Sequence, residues 1–218
     1  MGDAKVFFQE EEVPQIDVSL LLLLDASASR ASQQEIIACE AYALAEGAGR
    51  AGIPIAIVSF CSLYGYTVLE RLKDFAEPEG RGALRYTSRG WNRDGLALRT
   101  LPELLKNTRG KRLAAVFTDA YPSDEADIPG HGMHFSQRYL QDPAVEDTAK
   151  AVRELRRQGI QVVGILNSPF SSDIMENYAK RIYGTRCVRI ESSSRLADAV
   201  GGLLEEAIAS ASRDEGEG

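Results

Sequence analysis

At 218 residues and 44% hydrophobic, the chain is long enough to fill the core of one large α/β domain and short for two. A formal net charge of −7 disfavours nucleic acid as a partner and suits divalent cations and basic protein surfaces. The odd set of cysteines, Cys39, Cys61 and Cys187, has no C-x-x-C spacing. Cys39 and Cys61 stand in apolar runs as small buried hydrophobes do, so no disulfide framework is expected and the setting is a reducing cytoplasm.

Residues 1–16 read as an acidic lead-in without the basic and apolar regions of a signal peptide, and Val6 stands where myristoylation needs Ser or Thr. The apolar run 17–24 has the length of a buried parallel strand, far below the roughly 20 residues that span a bilayer. A helix over 32–51 carries Ile36, Ile37, Tyr42, Leu44 and Ala45 and stops at Gly52 and Pro54. The strand 53–61 follows, then an edge strand over 66–75, where Glu70, Arg71 and Lys73 would protect the edge. A helix from about Gly95 carries Leu96, Leu98, Leu101, Leu104 and Leu105. Next come a buried strand 112–119, a charge-rich helix 144–158, a strand 160–166 and a helix 173–182. A short strand 187–190 and a closing helix 194–211 complete the domain 17–211, and 212–218 reads as a disordered acidic tail. This alternation argues for a mostly parallel sheet with helices on both faces, whose ligands gather at the carboxyl ends of the strands.

Three stretches stand at or near such ends. Asp25-Ala26-Ser27-Ala28-Ser29 follows the first strand and sets a carboxylate and two hydroxyls at alternate positions, a donor set suited to a hard cation such as Mg²⁺. The same residue types also cap helices. Thr118-Asp119 ends the strand 112–119; turn chemistry around Pro122 is the alternative role for Asp119 and Asp124. Asn92-Arg93-Asp94-Gly95-Leu96-Ala97-Leu98 enters a helix that either Asn92 or Asp94 could cap.

In this order the stretches resemble the metal-ion-dependent adhesion site of the von Willebrand factor A family. Asp25, Ser27 and Ser29 match its D-x-S-x-S motif in full. Thr118-Asp119 match its T-D-G, with Ala120 at the glycine, and Gly95-Leu96-Ala97-Leu98 match the end of T-x-T-G-x-A-L. Asn92 falls on the metal-binding threonine and Asp94 on the other. The form N-x-D-G-x-A-L is similar to the branch of the CobT-type cobalt chelatase subunit and the NorD-type nitric oxide reductase activation protein. The stretches 146–151 and 154–160 and Tyr183-Gly184 resemble that branch as well. The resemblance implies a Rossmann-like, doubly wound α/β fold with six strands, one of them an antiparallel edge. It implies a cation, Mg²⁺ or Mn²⁺, on Asp25, Ser27, Ser29, Asn92 or Asp94, and Asp119, with an Asp or Glu of a protein partner completing its shell. It also implies an adaptor beside a MoxR-type AAA+ ATPase in metal insertion or enzyme maturation. Because the branch carries a longer N-terminal region, the chain reads as a piece of a larger protein.

Other motifs point elsewhere. The glycines of Gly47-Ala48-Gly49-Arg50-Ala51-Gly52 follow a helix instead of opening one, the wrong place for a dinucleotide fingerprint. His131 and His134 have no further soft ligand nearby and read as loop histidines; Met133, Phe135 and Tyr139 of the same loop suit loop packing or contact with a partner. Trp91 and Tyr121 flank the expected ligands, either as a recognition rim or as shielding from below. No G-x-S-x-G elbow exists and no histidine is placed beside Ser27, so the chain reads as a binding module and not an enzyme. The alternatives are a metal-assisted phosphohydrolase in the same crevice or a structural subunit with an empty site.

Overall fold

The computed structural model describes residues 17–129, 135–167 and 173–215. The lead-in 1–16, His131, Met133 and His134, and residues 216–218 of the expected tail lie outside them.

The strand β1 (Val18–Asp25) runs through the middle of a six-stranded sheet and is buried at every position. It pairs in parallel with β2 (Ile55–Leu63) on one side and β4 (Lys111–Thr118) on the other. Beyond β4 lie β5 (Ile160–Leu166) and the short β6 (Cys187–Arg189), both parallel. The far edge is β3 (Tyr66–Lys73), antiparallel to β2, so the order is β3-β2-β1-β4-β5-β6. A two-residue turn, Tyr64-Gly65, joins β2 to β3. Its φ angles of 52° and 78° match the twist of a tight hairpin.

The unbroken leucine run of β1 reflects cover on both faces. Leu20, Leu22 and Leu24 belong to the core under α1 (Gln34–Arg50) and α6 (Leu196–Glu215). Leu21 and Leu23 pack in a second core with α2 (Asp94–Arg99), α3 (Leu101–Leu104), α4 (Asp142–Arg157) and the end of α5 (Asp173–Tyr183). With successive side chains on opposite faces and helices over both, no polar position is tolerated from Leu20 to Leu24. The expected doubly wound sheet with one antiparallel edge is therefore the observed one. Among the described residues no helix is long and apolar enough to cross a membrane.

Local differences have local causes. The helix expected to run unbroken from Gly95 through Leu105 is two, α2 and α3, because Pro102 in the first turn of α3 has no N–H to continue the ladder. The helix expected over 32–51 opens as a 3-10 turn, Ala28–Gln33, before α1. Cys39 is exposed: α1 turns Ile37, Ala38 and Ala41 to the sheet and Cys39 to solvent, whereas Cys61 on β2 is buried as expected. The closing helix runs to Glu215, four residues beyond 211, since no glycine or proline interrupts 203–215. The glycines after α1 end that helix, with Gly52 at φ 70° and its N–H on the Gly49 carbonyl.

Replacing Leu22, which lies between Ile57 and Ala115 at the centre of the sheet, tests the two-sided core. Leu22→Ala is expected to lower unfolding free energy by about 2–5 kcal/mol in urea melts, with the slope unchanged.

Candidate metal centre

The three motif loops are fastened to one another by backbone hydrogen bonds. Past the end of β1, the Arg89 N–H donates to the Ala26 carbonyl (2.7 Å) and the Ala28 N–H to the Gly90 carbonyl (3.0 Å). Trp91 exchanges both backbone bonds with Ser62 of β2, and Asn92 exchanges both with Ser123. Gly90 makes this possible. Its φ is 66°, and a Cβ there would meet the Ser62 carbonyl oxygen at 2.2 Å, so only glycine allows the loop to lie this close to β2.

The side chains converge across the β1–β4 boundary. Asp25 is fully buried, and its Oδ1 accepts from the Ser27 N–H at 2.8 Å. The Ser27 and Ser29 hydroxyls are hydrogen-bonded to each other at 3.0 Å, and the Ser29 hydroxyl donates to Asp119 Oδ2, also at 3.0 Å. Asp119 stands just past β4 and its Oδ1 accepts from the Tyr121 N–H at 3.0 Å. Asp94, the first residue of α2, is buried and accepts from the Thr118 hydroxyl at 3.4 Å; Asn92 Oδ1 accepts from the Ser123 hydroxyl at 3.4 Å. A cleft of about 480 Å³ opens over Ser27, Ser29, Asn92 and Asp119, with Trp91 and Tyr121 in its walls.

Helix capping does not account for these residues. Ser27 precedes the 3-10 turn and Arg93 precedes α2, yet neither side chain makes a capping bond, and Asp94 lies inside the helix. Asp25 Oδ2, Asp94 Oδ1 and Asn92 Nδ2 are buried without a hydrogen-bond partner among the described residues. Unmet carboxylate oxygens in the interior are costly, and a cation relieves them. Among the described residues no three Asp, Glu, His or Cys side chains form a metal cage by themselves. A cation here would therefore draw on the serine hydroxyls, and such a hard, oxygen-only donor set fits Mg²⁺ or Mn²⁺.

Electrostatics sharpen the point. Burial, and then the charge of Asp119, push the Asp25 carboxyl up to about 6 against the opposing pull of Arg30. Asp94 is raised well above the usual carboxylate range by burial, then by Asp25 and Asp119. The neighbouring carboxylates thus oppose the ionisation of Asp25 and Asp94.

Several supports were not among the expected site residues. Arg30, fully buried, sets its Nε 3.6 Å from Asp25 Oδ2, donates through Nη1 to the Asn167 carbonyl (2.7 Å) and lies over the Phe117 ring. Tyr86 donates its hydroxyl to the Asp25 carbonyl at 2.6 Å. Tyr139, assigned on sequence to loop packing or partner contact, is buried; its hydroxyl accepts from the Gly95 N–H at 3.2 Å and its ring lies under the Arg93 guanidinium, which pairs with Asp124. The adjacency of Arg30 to Ser29 was the one available signal; Tyr86 and Tyr139 reach the site from distant positions.

No family model matches the chain. It is similar to the protein NorD of Stutzerimonas stutzeri, 32% identical over 166 residues, which cover 70% of this chain and 25% of that protein. It is also similar to the uncharacterized protein YojO of Bacillus subtilis, 25% identical over 218 residues, with 93% and 32% covered. The chain thus spans about a quarter to a third of the length of these curated relatives. Among solved structures, the vWF domain of the type V pili tip protein Mfa5 from Porphyromonas gingivalis matches with a TM-score of 0.66 at 9% identity, covering 88% of this chain and 95% of that one. Proximal thread matrix protein 1 of the mussel byssus, with a zinc-occupied MIDAS motif, matches at 0.60 and 14% identity, with 88% and 46% covered. Manganese-loaded TRAP protein of Plasmodium vivax matches at 0.53 and 16%, with 89% and 71% covered. Sheet order and these matches define the class of fold: the chain has the von Willebrand factor A-type fold, and Asp25-Ala26-Ser27-Ala28-Ser29 at the end of β1 has the D-x-S-x-S pattern. Within that fold, the sequence likeness is to NorD, over 70% of this chain.

Ala120, where the motif has glycine, sits at φ 58°. Relief of left-handed strain in Ala120→Gly offsets the lost methyl and the looser unfolded chain, so its stability should stay within about 0.5 kcal/mol. Ala120→Val is expected to lose about 2 kcal/mol or more in the same melts, since β-branched residues resist this conformation. The raised Asp25 carboxyl has its own signature. Without a cation, the folded chain holds a proton between the unfolded value of about 3.9 and about 6. This contribution to stability is full below that window and is lost as pH rises through about 6. Melting in chelator from pH 4.5 to 7.5 should show the loss, and Asp25→Asn should flatten it.

Proposed function

We propose that the chain is a protein-binding module in which Asp25, Ser27, Ser29 and Asn92 hold Mg²⁺ or Mn²⁺, with Asp119 bound directly or through water. Asn92 is favoured over Asp94 as the second-loop ligand because it lines the cleft, whereas Asp94 is buried and is not among the lining residues. A partner's Asp or Glu completes the coordination. The observation that carries this reading is the chain of contacts Ser27–Ser29–Asp119, which links two parallel strand ends above buried acids whose oxygens lack partners. Few carboxylates leave the cation electron-poor, which favours an anionic ligand from outside. The Ser27 hydroxyl faces Ser29 and not a general base, which supports binding over hydrolysis.

The likeness to NorD, with what the branch implies, supports a finer role as an adaptor for a MoxR-type AAA+ ATPase in metal insertion or enzyme maturation. The free cysteines Cys39, Cys61 and Cys187 support a cytoplasmic location.

Saturating Mg²⁺ or Mn²⁺ should raise the melting temperature, with about 2.7 kcal/mol of stabilisation at a hundredfold excess over Kd. The gain should be larger at pH 7.5 than at pH 5, because protons compete for Asp25. Ser27→Ala with Ser29→Ala should abolish the gain and the capture of a MoxR-type ATPase in pull-downs. Capture that survives both chelation and this double substitution rules out the metal-dependent reading.

A further inference from the structure

The cleft above the cation site has walls made largely of carbon, and this bears on which acidic segment it accepts. On one side stands Trp91, 45% exposed although its backbone is locked to Ser62 through both hydrogen bonds. The indole N–H donates to Glu125 Oε1 at 2.9 Å, which fixes the ring's orientation. Tyr121 also lines the cleft, its ring centroid 6.0 Å from that of Tyr178 on α5. Ala28 also lines the cleft. The cleft's volume, about 480 Å³, lies in the range of ligand sites (about 300–1,000 Å³) and exceeds what one carboxylate side chain fills. Aromatic rings held rigidly beside a polar centre serve as anchors, because little side-chain entropy is lost on binding.

We propose that the cleft selects a partner segment whose metal-seeking Asp or Glu is directly flanked by an aromatic or large aliphatic residue, which packs against the Trp91 and Tyr121 rings that line it. The inference rests on the metal-dependent reading above and specifies its partner. Charge points the same way. With one carboxylate on the cation, Glu125, held beside Trp91, repels a second acidic residue next to the first. A neutral apolar neighbour meets no such cost and removes exposed ring surface from water.

Trp91 is the single tryptophan of the chain and reports directly on the cleft. The experiment titrates the whole chain, in Mg²⁺ or Mn²⁺, with blocked tetrapeptides Gly-Asp-Phe-Gly, Gly-Asp-Gly-Gly, Gly-Asp-Glu-Gly and Gly-Asn-Phe-Gly, read by Trp91 emission and by calorimetry. The Asp-Phe peptide should bind about tenfold tighter than Asp-Gly, the worth of partly burying one phenyl ring, and should shift Trp91 emission to the blue. Asp-Glu should bind weakest of the acids, and Asn-Phe should lose binding with its carboxylate. In Trp91→Ala, followed by calorimetry, the advantage of Asp-Phe over Asp-Gly should collapse, and Trp91→Phe should restore most of it. Equal affinity for Asp-Phe and Asp-Gly, or no binding of either at millimolar peptide, overturns the proposal, and so does an advantage that persists in Trp91→Ala. The metal reading is scored separately, by the shift in melting temperature of the unsubstituted chain with the cation alone. If that shift is present, loss of flank preference defeats only this inference; if it is absent, both fall.

Discussion

Like charges gathered in a dry place are the constraint around which this molecule is arranged. Asp25, Asp94 and Asp119 are all buried; Asp119 opposes the ionisation of Asp25, and both oppose that of Asp94. A fold tolerates such an arrangement only if other interactions hold the acids in place. Here Arg30 supplies one buried positive charge, while the Ser27 N–H and the Thr118 hydroxyl each donate to a carboxylate. Asp25 Oδ2 and Asp94 Oδ1 are still left without a hydrogen-bond partner among the described residues. On the proposed reading a divalent cation would meet both, so that stability and function would draw on the same electrostatic imbalance.

The sheet makes that imbalance durable. Parallel neighbours β1 and β4 end side by side, so loops separated by some ninety residues leave the sheet at one point. Backbone bonds then tie the 89–92 loop to the first loop on one side and to Ser123 on the other. These ties are made by main-chain atoms, so they hold the loops together without help from the side chains proposed as ligands. On that reading a partner would meet loops that are already ordered.

Much of this was legible from residue order. The continuous leucine run announced a central strand covered on both faces, and alternating strands and helices implied parallel pairing with a crevice at the carboxyl ends. Small oxygen-bearing residues at alternate positions after β1 pointed to cation chemistry, and Asp25, Ser27, Ser29, Asn92, Asp94 and Asp119 do come together. Less legible were features set by orientation. Cys39 lies in an apolar run yet faces solvent, because a helix one residue out of phase with its apolar stripe turns a side chain away from the core. The helix expected through Leu105 is interrupted at Thr100 because the missing N–H of Pro102 outweighs the leucine spacing around it.

By itself, the order of residues determined the strand and helix periods, the sheet's buried centre and the donor chemistry of each loop, since these depend on side-chain type and near-neighbour spacing. Tertiary structure alone decided which loops share a point in space and which side chains support them. Tyr86 under the Asp25 carbonyl, Tyr139 on the Gly95 amide and Arg30 against both Asn167 and Phe117 are long-range pairings. The physical reason is that local propensity acts over a few residues, whereas burial, desolvation and the balance among distant charges exist only once the sheet has brought the strand ends together.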